Sequence, residues 1–439
     1  MYLEWNSIDY PLILFLKYNL FMLPNVTNKP KFFYGYIIVM VAFVIVMVMW
    51  GIRYSFGVFF KPVSTEFGWT RAELSGAYSI SMILFGLLSI GMGRLNDWLG
   101  PRLIMTVCGV FFGLSYLLMS QLSTIWQLYL FQGVLTGVSL SGSFAPLLAT
   151  IPRWFVKRRG IMTGIVVSGV GLGGVIMAPL SNWVISSYGW RTSYSIVGII
   201  AMLLIVLAAQ FLRREPDQLG QVPYGADTGK TDNPQFEFRG LSLGEAIHTK
   251  QFWLLCFIFF SLFYCVDTIM VHINPHATDL GISATSAANI LAIIGGASII
   301  GKLLSGITGD KIGNKKAIII FFIVMSVSLV LLQLAKELWM FYLFAAIFGI
   351  GFGGLTTLQS PIAAGLFGLR SLGIILGIFL FATAIGNSLG PLLTGYIFDI
   401  TSSYRLAFLT CAGAAVLGTI MTLLLGPIHR ESLIQAGQQ

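Results

Sequence analysis

Two stretches of this sequence repeat each other 213 residues apart. Gly93-Arg-Leu-Asn-Asp97-Trp-Leu-Gly100-Pro-Arg102 returns as Gly306-Ile-Thr-Gly-Asp310-Lys-Ile-Gly313-Asn-Lys315, and each copy lies between two apolar segments. The same offset relates Trp126-x-x-Tyr129-Leu130-Phe131 to Trp339-x-x-Tyr342-Leu343-Phe344, and Gly160 and Gly164 to Gly373 and Gly377. A chain doubled in this way is constrained to two halves of like topology. In a membrane, that architecture implies a carrier whose halves rock about a central site.

Composition makes lipid the solvent. Of 439 residues, 56% are hydrophobic and 10% charged, with a mean hydropathy of +0.85. A soluble domain carries about 25% charged residues. Runs of roughly 20 apolar residues cross a bilayer. Twelve such spans are predicted, at 33–59, 74–93, 103–121, 126–150, 160–185, 193–211, 252–276, 285–308, 317–335, 338–366, 372–398 and 406–426. The predicted fold is therefore an all-α membrane protein, with twelve transmembrane helices in two six-helix pseudo-symmetric halves. The halves are residues 32–212 and 251–428, followed by a tail, 429–439. Between them lies a polar linker, 213–250, expected to hold a short amphipathic helix near residues 241–248. Residues 1–31 are an extension whose apolar part, 10–23, is short, interrupted by Lys17, and without signal-peptide features. It reads either as an interfacial helix or as sequence upstream of a start at Met22.

The net charge of +9 does not mark a nucleic-acid partner, because the basic residues fall in short loops between spans. Arg94, Arg102, Arg153, Lys157, Arg158, Arg159, Arg213, Arg214, Lys311, Lys315, Lys316 and Arg370 all fall on one side. Lys61, Arg71, Arg191, Lys336 and Arg405 fall on the other, partly balanced by Glu66, Glu73 and Glu337. The positive-inside rule then makes the linker and both termini cytoplasmic, in a multi-pass protein of the plasma membrane. Four cysteines within apolar runs read as small buried hydrophobes, and no histidine pattern marks a metal site or a cofactor. Trp126, Trp190 and Trp339 read as interfacial belt residues.

With those residues in view, the chain resembles the major facilitator superfamily over about residues 32–426. Gly-x-x-x-Asp-x-x-Gly-x-Arg/Lys, present twice, is similar to that family's loop signature. Its glycines permit a tight turn, and Asp97 and Asp310 can accept bonds from helix N-termini or cationic side chains. Trp154-Phe155-Val-Lys157-Arg158-Arg159-Gly160-x-x-x-Gly164-x-x-x-Ser168-Gly169 resembles the entry to span five of monocarboxylate porters and their oxalate/formate-antiporter-like relatives. Tyr34-Gly35-Tyr36, the Tyr54–Lys61 run and His272-x-x-Pro275-His276-Ala-x-Asp279-x-Gly281 are similar to the same group. Members usually hold the substrate carboxylate with an arginine in span eight. Here Lys302 stands there, and Ser298 stands where animal members have an aspartate. Lysine keeps the charge and loses the bidentate fork.

Charges within spans are costly and are functional candidates. Three stand out: Arg53, Asp267 and Lys302. Lys302 precedes Asp310 by eight residues, about 12 Å at ~1.5 Å per residue, close to mid-membrane. It is the expected anchor for a carboxylate, or else it snorkels to the interface. Ser298, one turn away, is expected to donate to the same anion or to pack between helices. The offset makes Asp267 the counterpart of Tyr54, beside Arg53, so Arg53 and Asp267 are expected to pair as an outer gate loosened by protonation of Asp267 or by the substrate anion, which Arg53 would then help to bind; otherwise Arg53 is an arginine near the outer headgroups. Gln132 falls where relatives often carry a pocket tyrosine. His272 is a candidate pH sensor, or a capping or interfacial residue. Gln359 and Asn387 suit interhelical hydrogen bonds as well as substrate contact.

The expected function is secondary transport of a small organic anion, a monocarboxylate such as lactate, pyruvate or formate, by proton symport and alternating access. The partners are then that anion, protons and the lipid bilayer. Oxalate/formate-type exchange and dicarboxylate carriage remain open within transport. Drug export is disfavoured by a degenerate Gly174-Val-Ile-Met-Ala178-Pro179 in span five, although Gly386-x-x-x-Gly390-Pro391 is intact in span eleven. A carboxylate-binding membrane sensor is the alternative of a different class. No enzymatic chemistry is expected.

Overall fold

The computed structural model describes residues 33–225, 240–368 and 371–426. The expectation for residues 10–23 lies outside these. Among the described residues, eleven helices are long and apolar enough to cross a membrane. They are Gly35–Phe67, Arg71–Met92, Trp98–Met119, Ile125–Trp154, Gly160–Gln210, Lys250–Asp279, Ala284–Ile312, Asn314–Leu332, Leu338–Phe367, Leu372–Thr401 and Arg405–Leu424. The 51 residues of Gly160–Gln210 would extend about 77 Å, far more than one crossing needs. That helix bends at Gly189, at φ 79 and ψ 163, and so supplies spans five and six. Twelve crossings result.

The boundaries differ from expectation where polar residues did not end a helix. Span one runs on to Phe67 after a break at Ser55, and Gly68 closes it in the left-handed conformation. Span four runs to Trp154 with two irregularities. One is a π-helical stretch, Tyr129–Leu135, and the other a break near Ser143. In the linker, a helix over Leu243–Ile247 begins with a capping box between Ser242 and Glu245.

The 213-residue repeat is written into the backbone. Gly68 and Gly281, Gly100 and Gly313, and Gly189 and Ser402 are three pairs at that offset, and all six residues have positive φ. A left-handed residue reverses the chain in the fewest residues, and glycine does so without a Cβ clash. The two described parts of the linker dock at equivalent places as well. Tyr224 bridges to Phe155 at the end of span four, and Gly240 bridges to Gly368 at the end of span ten.

Small residues let the helices close on one another. A methyl added at Gly173 would collide with Met47 O, and one at Gly353 with Ser298 O. Such contacts drive helix association in lipid, where burying apolar surface gains little. The four cysteines are buried and unpaired.

Candidate functional site

Arg53 is held by side chains of three helices, spans one, two and seven. It stands near the end of the first part of span one, and its Nη2 donates to Asp267 Oδ2 on span seven, in the other half. Nε and Nη2 also approach Met82 Sδ of span two at 3.2 and 2.9 Å. The guanidinium lies 4.6 Å from the centroid of Trp50, 4.9 Å from Tyr54 and 5.3 Å from Tyr78. Trp50 in turn donates from Nε1 to Ser143 Oγ at 3.1 Å, at the break in span four. Both charged side chains are 1% accessible. An ion pair so deep gains Coulomb energy roughly equal to its desolvation cost, but losing one partner strands the other. The ion pair engages Oδ2 of Asp267, and Oδ1 lies outside it, with the Tyr78 hydroxyl as a neighbouring polar group.

Lys302 reaches across the seam between the halves, donating to the backbone oxygen of Val167 on span five at 3.3 Å. Among the described residues it has no carboxylate partner. A half-buried ammonium satisfied only by a carbonyl is a site with anion affinity to spare. Ser298, one turn away, donates to Gly295 O of its own helix at 2.7 Å. It borders an enclosed cavity of about 10 Å³ with Tyr54, Val170, Gly171, Gly174, Met270 and Phe352. The halves also approach closely here. A Cβ at Gly295 would sit 2.7 Å from Gly171 O, and one at Gly57 2.8 Å from Met270 O.

Away from the linker, the seam is latched by charge. Asp399, near the end of span eleven, accepts from Arg71 N at 2.9 Å and Ala72 N at 2.8 Å, capping span two from the opposite half. The Arg71 side chain bonds Asp279 and the Tyr404 hydroxyl and stacks over Phe398 at 3.6 Å. Lys61 approaches Asp279 at 3.3 Å.

His272 lies under this latch, fully buried, rather than at a helix cap or membrane interface. Its Nε2 is 2.9 Å from Pro391 O and 3.1 Å from Ser75 Oγ, and its Nδ1 is 3.1 Å from the Tyr404 hydroxyl. A carbonyl only accepts, so Nε2 carries the proton and Nδ1 accepts from Tyr404. Trp190 likewise departs from the belt expectation. It is 7% exposed and donates to Glu66 at 2.6 Å, whereas Trp126 and Trp339 are 77% and 58% exposed. The physical difference is packing: the Trp190 ring meets Phe67 and Tyr194 edge-on, while its indole N–H reaches out to the exposed Glu66.

Near the linker, the repeated loops do something the sequence reading did not assign. Arg102 Nε donates to Gln210 at 3.0 Å, at the end of span six. Lys315 Nζ donates to Leu423 O at 2.9 Å, near the end of span twelve. The two contacts are related by the repeat, and each ties the start of one helix to the end of another through its basic residue. Asp310 is exposed and, among the described residues, has no hydrogen-bond partner. That corrects the expectation of a bonded carboxylate. The turn at Gly100 and Gly313 carries the change of direction instead, at φ 79 and 88. Gly306 has open space around it, and the side chains at Gly93, Arg94 and Asp97 lie outside the described residues.

The structure therefore joins Arg53 to Asp267, and sets Lys302 one turn from Ser298 at the seam. Gln132 is buried in the π-helical stretch with Oε1 unbonded, and it does not border the small cavity beside Ser298. Asn387 is buried, and its Oδ1 and Gln359 Nε2 lack partners. The sequence reading missed Met82, the ring cage around Arg53, and Asp399. The spacing Trp50-x-x-Arg53-Tyr54 was the available signal for the cage, since residues three apart share a helix face.

Two six-helix halves meeting at a buried, charged seam define a membrane carrier of the two-lobed type. The sequence profile of the Major Facilitator Superfamily matches residues 39–276 and 255–438, and the chain belongs to that family of transporters. Monocarboxylate transporter 13 of Rattus norvegicus is 28% identical over 415 residues, covering 90% of each chain. Monocarboxylate transporter 4 of Mus musculus is 27% identical, covering 92% of this chain and 85% of its own. The uncharacterized transporter YhjX of Escherichia coli is 26% identical over 73% of this chain. A solved bacterial homolog of the human lysosomal transporter Spinster, in an inward-facing and occupied conformation, shares the fold. Its TM-score is 0.71 at 18% identity, covering 90% of this chain and 97% of that one.

Proposed function

We propose that the protein carries small monocarboxylate anions of the lactate, pyruvate or formate type across the plasma membrane with a proton, by alternating access. The observation that carries this reading is Lys302, a cation at the seam bonded, among the described residues, only to a backbone carbonyl. Similarity to monocarboxylate transporters agrees with it. Residues 32–212 and 251–428 act as the two moving bodies, with 213–250 between them. The linker side is cytoplasmic, in keeping with the loop charges. The latched side is then extracellular and closed.

The coupling residue is Asp267. With its carboxylate bound to Arg53, the outer part of the seam holds. A proton taken at the oxygen outside the ion pair weakens that bond and lets spans one and seven part. The anion then replaces the lost negative charge near Lys302, so the two charges enter together. Acid outside thus favours uptake. His272 lies in the same seam and loses its bond from Tyr404 if Nδ1 is protonated.

The test is uptake of labelled lactate, pyruvate and formate into proteoliposomes, with and without an imposed pH gradient. Wild-type uptake is accelerated by outside acid, and Lys302→Ala lowers transport efficiency about ten- to hundredfold. Unimpaired transport by Lys302→Ala refutes the anchor. Counterflow indifferent to pH in the wild type refutes the proton coupling and leaves exchange.

A further inference from the structure

The latch has a vacant counterpart. At the 213-residue offset, Arg71 corresponds to Ala284, and Asp399 to Ser186. The first pair binds spans two and eleven together. The second faces a cavity of about 460 Å³ at the corresponding place, on the same side of the molecule. Spans one, five and seven and the starts of spans six and eight line it, through Val58, Lys61, Asn182, Trp190, Asn274 and Ala284 among others. So one flank of the seam is filled by an arginine and a carboxylate, and the other is hollow because alanine and serine stand there.

The hollow has directed chemistry. Asn274 is 3% exposed and lines it, and its Nδ2 has no hydrogen-bond partner. Its counterpart at the repeat offset is Lys61, on the facing wall. The Lys61 ammonium makes one long contact to Asp279, at 3.3 Å, leaving donors over. Glu66, the acidic residue in the lining, is already engaged by Arg191 and Trp190. An amide donor and an ammonium suit a carboxylate, while Val58, Pro62, Ile185 and Trp190 offer apolar surface to a short hydrocarbon chain.

The cavity also lies in line with the seam. On span seven, Asn274 precedes Thr278 and follows Met270 at helical spacing, and Met270 borders the small cavity at Ser298. On span five, Asn182, Ile185 and Ser186 share a face with Gly171 and Gly174. On span eight, Ala284 leads by turns to Leu291, Ser298 and then Lys302. The close contact of Gly57 with Met270 separates the two cavities. Asn274 is seven residues beyond Asp267, about 10 Å at ~1.5 Å per residue.

We infer that this cavity is a second binding site for a small organic anion with an apolar chain, an antechamber in which Asn274 and Lys61 hold the carboxylate before the seam opens. It rests on the proposed function for the identity of the anion as cargo, but not for its binding. The test measures equilibrium binding of radiolabelled butyrate to purified protein in liposomes. In a Lys302→Ala background, saturable binding persists, and adding Asn274→Leu or Ala284→Phe weakens it about tenfold or more, the cost of a lost bond to a charged group or of a filled site. A second measurement does not depend on those variants folding. Ala284→Cys is labelled by a membrane-impermeant maleimide from the latched side, and butyrate slows the labelling even with Lys302→Ala present. Binding that vanishes with Lys302→Ala alone, or labelling indifferent to butyrate, overturns the antechamber. Binding wholly unchanged by Lys302→Ala, yet lost with Asn274→Leu, supports the antechamber and refutes Lys302 as the anchor.

Discussion

Gly189 turns span five into span six at φ 79, and 213 residues later Ser402 makes the equivalent turn at φ 50. Arg102 reaches Gln210, and Lys315 reaches Leu423. At the same offset, Lys302 stands opposite Ser89, Asp267 opposite Tyr54, and Arg71 opposite Ala284. Thus the N- and C-terminal halves agree where the chain turns and disagree where it carries charge into the seam. A turn answers only to local backbone geometry, so duplication preserves it. A buried charge answers to its partner in the other half, and two like charges at mirrored positions would face each other across the seam.

The largest test of this contrast removes a charge from the asymmetric set. Asp267→Asn strands the Arg53 guanidinium, and the folded protein should lose about 3–5 kcal/mol. Thermal unfolding in detergent reads the loss, and the pH dependence of uptake should go with it. A paired Arg53→Met, Asp267→Leu variant recovers the melting temperature and not the coupling. If Asp267→Asn alone melts as the wild type does, the pair is not the structural element described.

Next comes Lys302→Ala, with an expected drop of about ten- to hundredfold in transport efficiency, as for one charged hydrogen bond. Ser89→Lys added to it restores nothing, because the mirrored position does not meet the same wall. Smaller is Asp399→Ala, which removes one helix cap, about 1 kcal/mol. A Cys at Ser388, buried under the latch, should then be labelled several-fold faster, while Ser186→Ala changes nothing. The smallest effect is at the turns. Ser402→Gly relieves a left-handed serine and raises stability by up to about 1 kcal/mol. No gain there would mean that the serine side chain compensates the turn.

How much of this was legible follows the same line. Apolar run lengths and turn glycines wrote out the fold, because each acts within a few residues. The neighbourhood of Arg53 and Asp267 was legible too, since the offset brought two odd charges to equivalent helices. Lys302 stood out by departing from the family pattern. The placement of His272 was not legible. Its partners are Ser75, Pro391 and Tyr404, more than a hundred residues away in each case. The cap by Asp399 was hidden for the same reason, because nothing near Arg71 in the chain announces that its first turn is satisfied from the far half. The unused carboxylate of the loop motif is the reverse case, a strong local pattern whose bond depends on packing.

Spans seven, ten and eleven are each 30 residues long, about 45 Å as straight helices. A bilayer's hydrocarbon layer is about 30 Å thick. These rods must lean or protrude, and any swing of one half changes how much of each the lipid tails cover. Mismatch costs fractions of a kcal/mol per Å. Small terms of that kind add over helices that lean together, so lipid thickness belongs with the forces on these long rods.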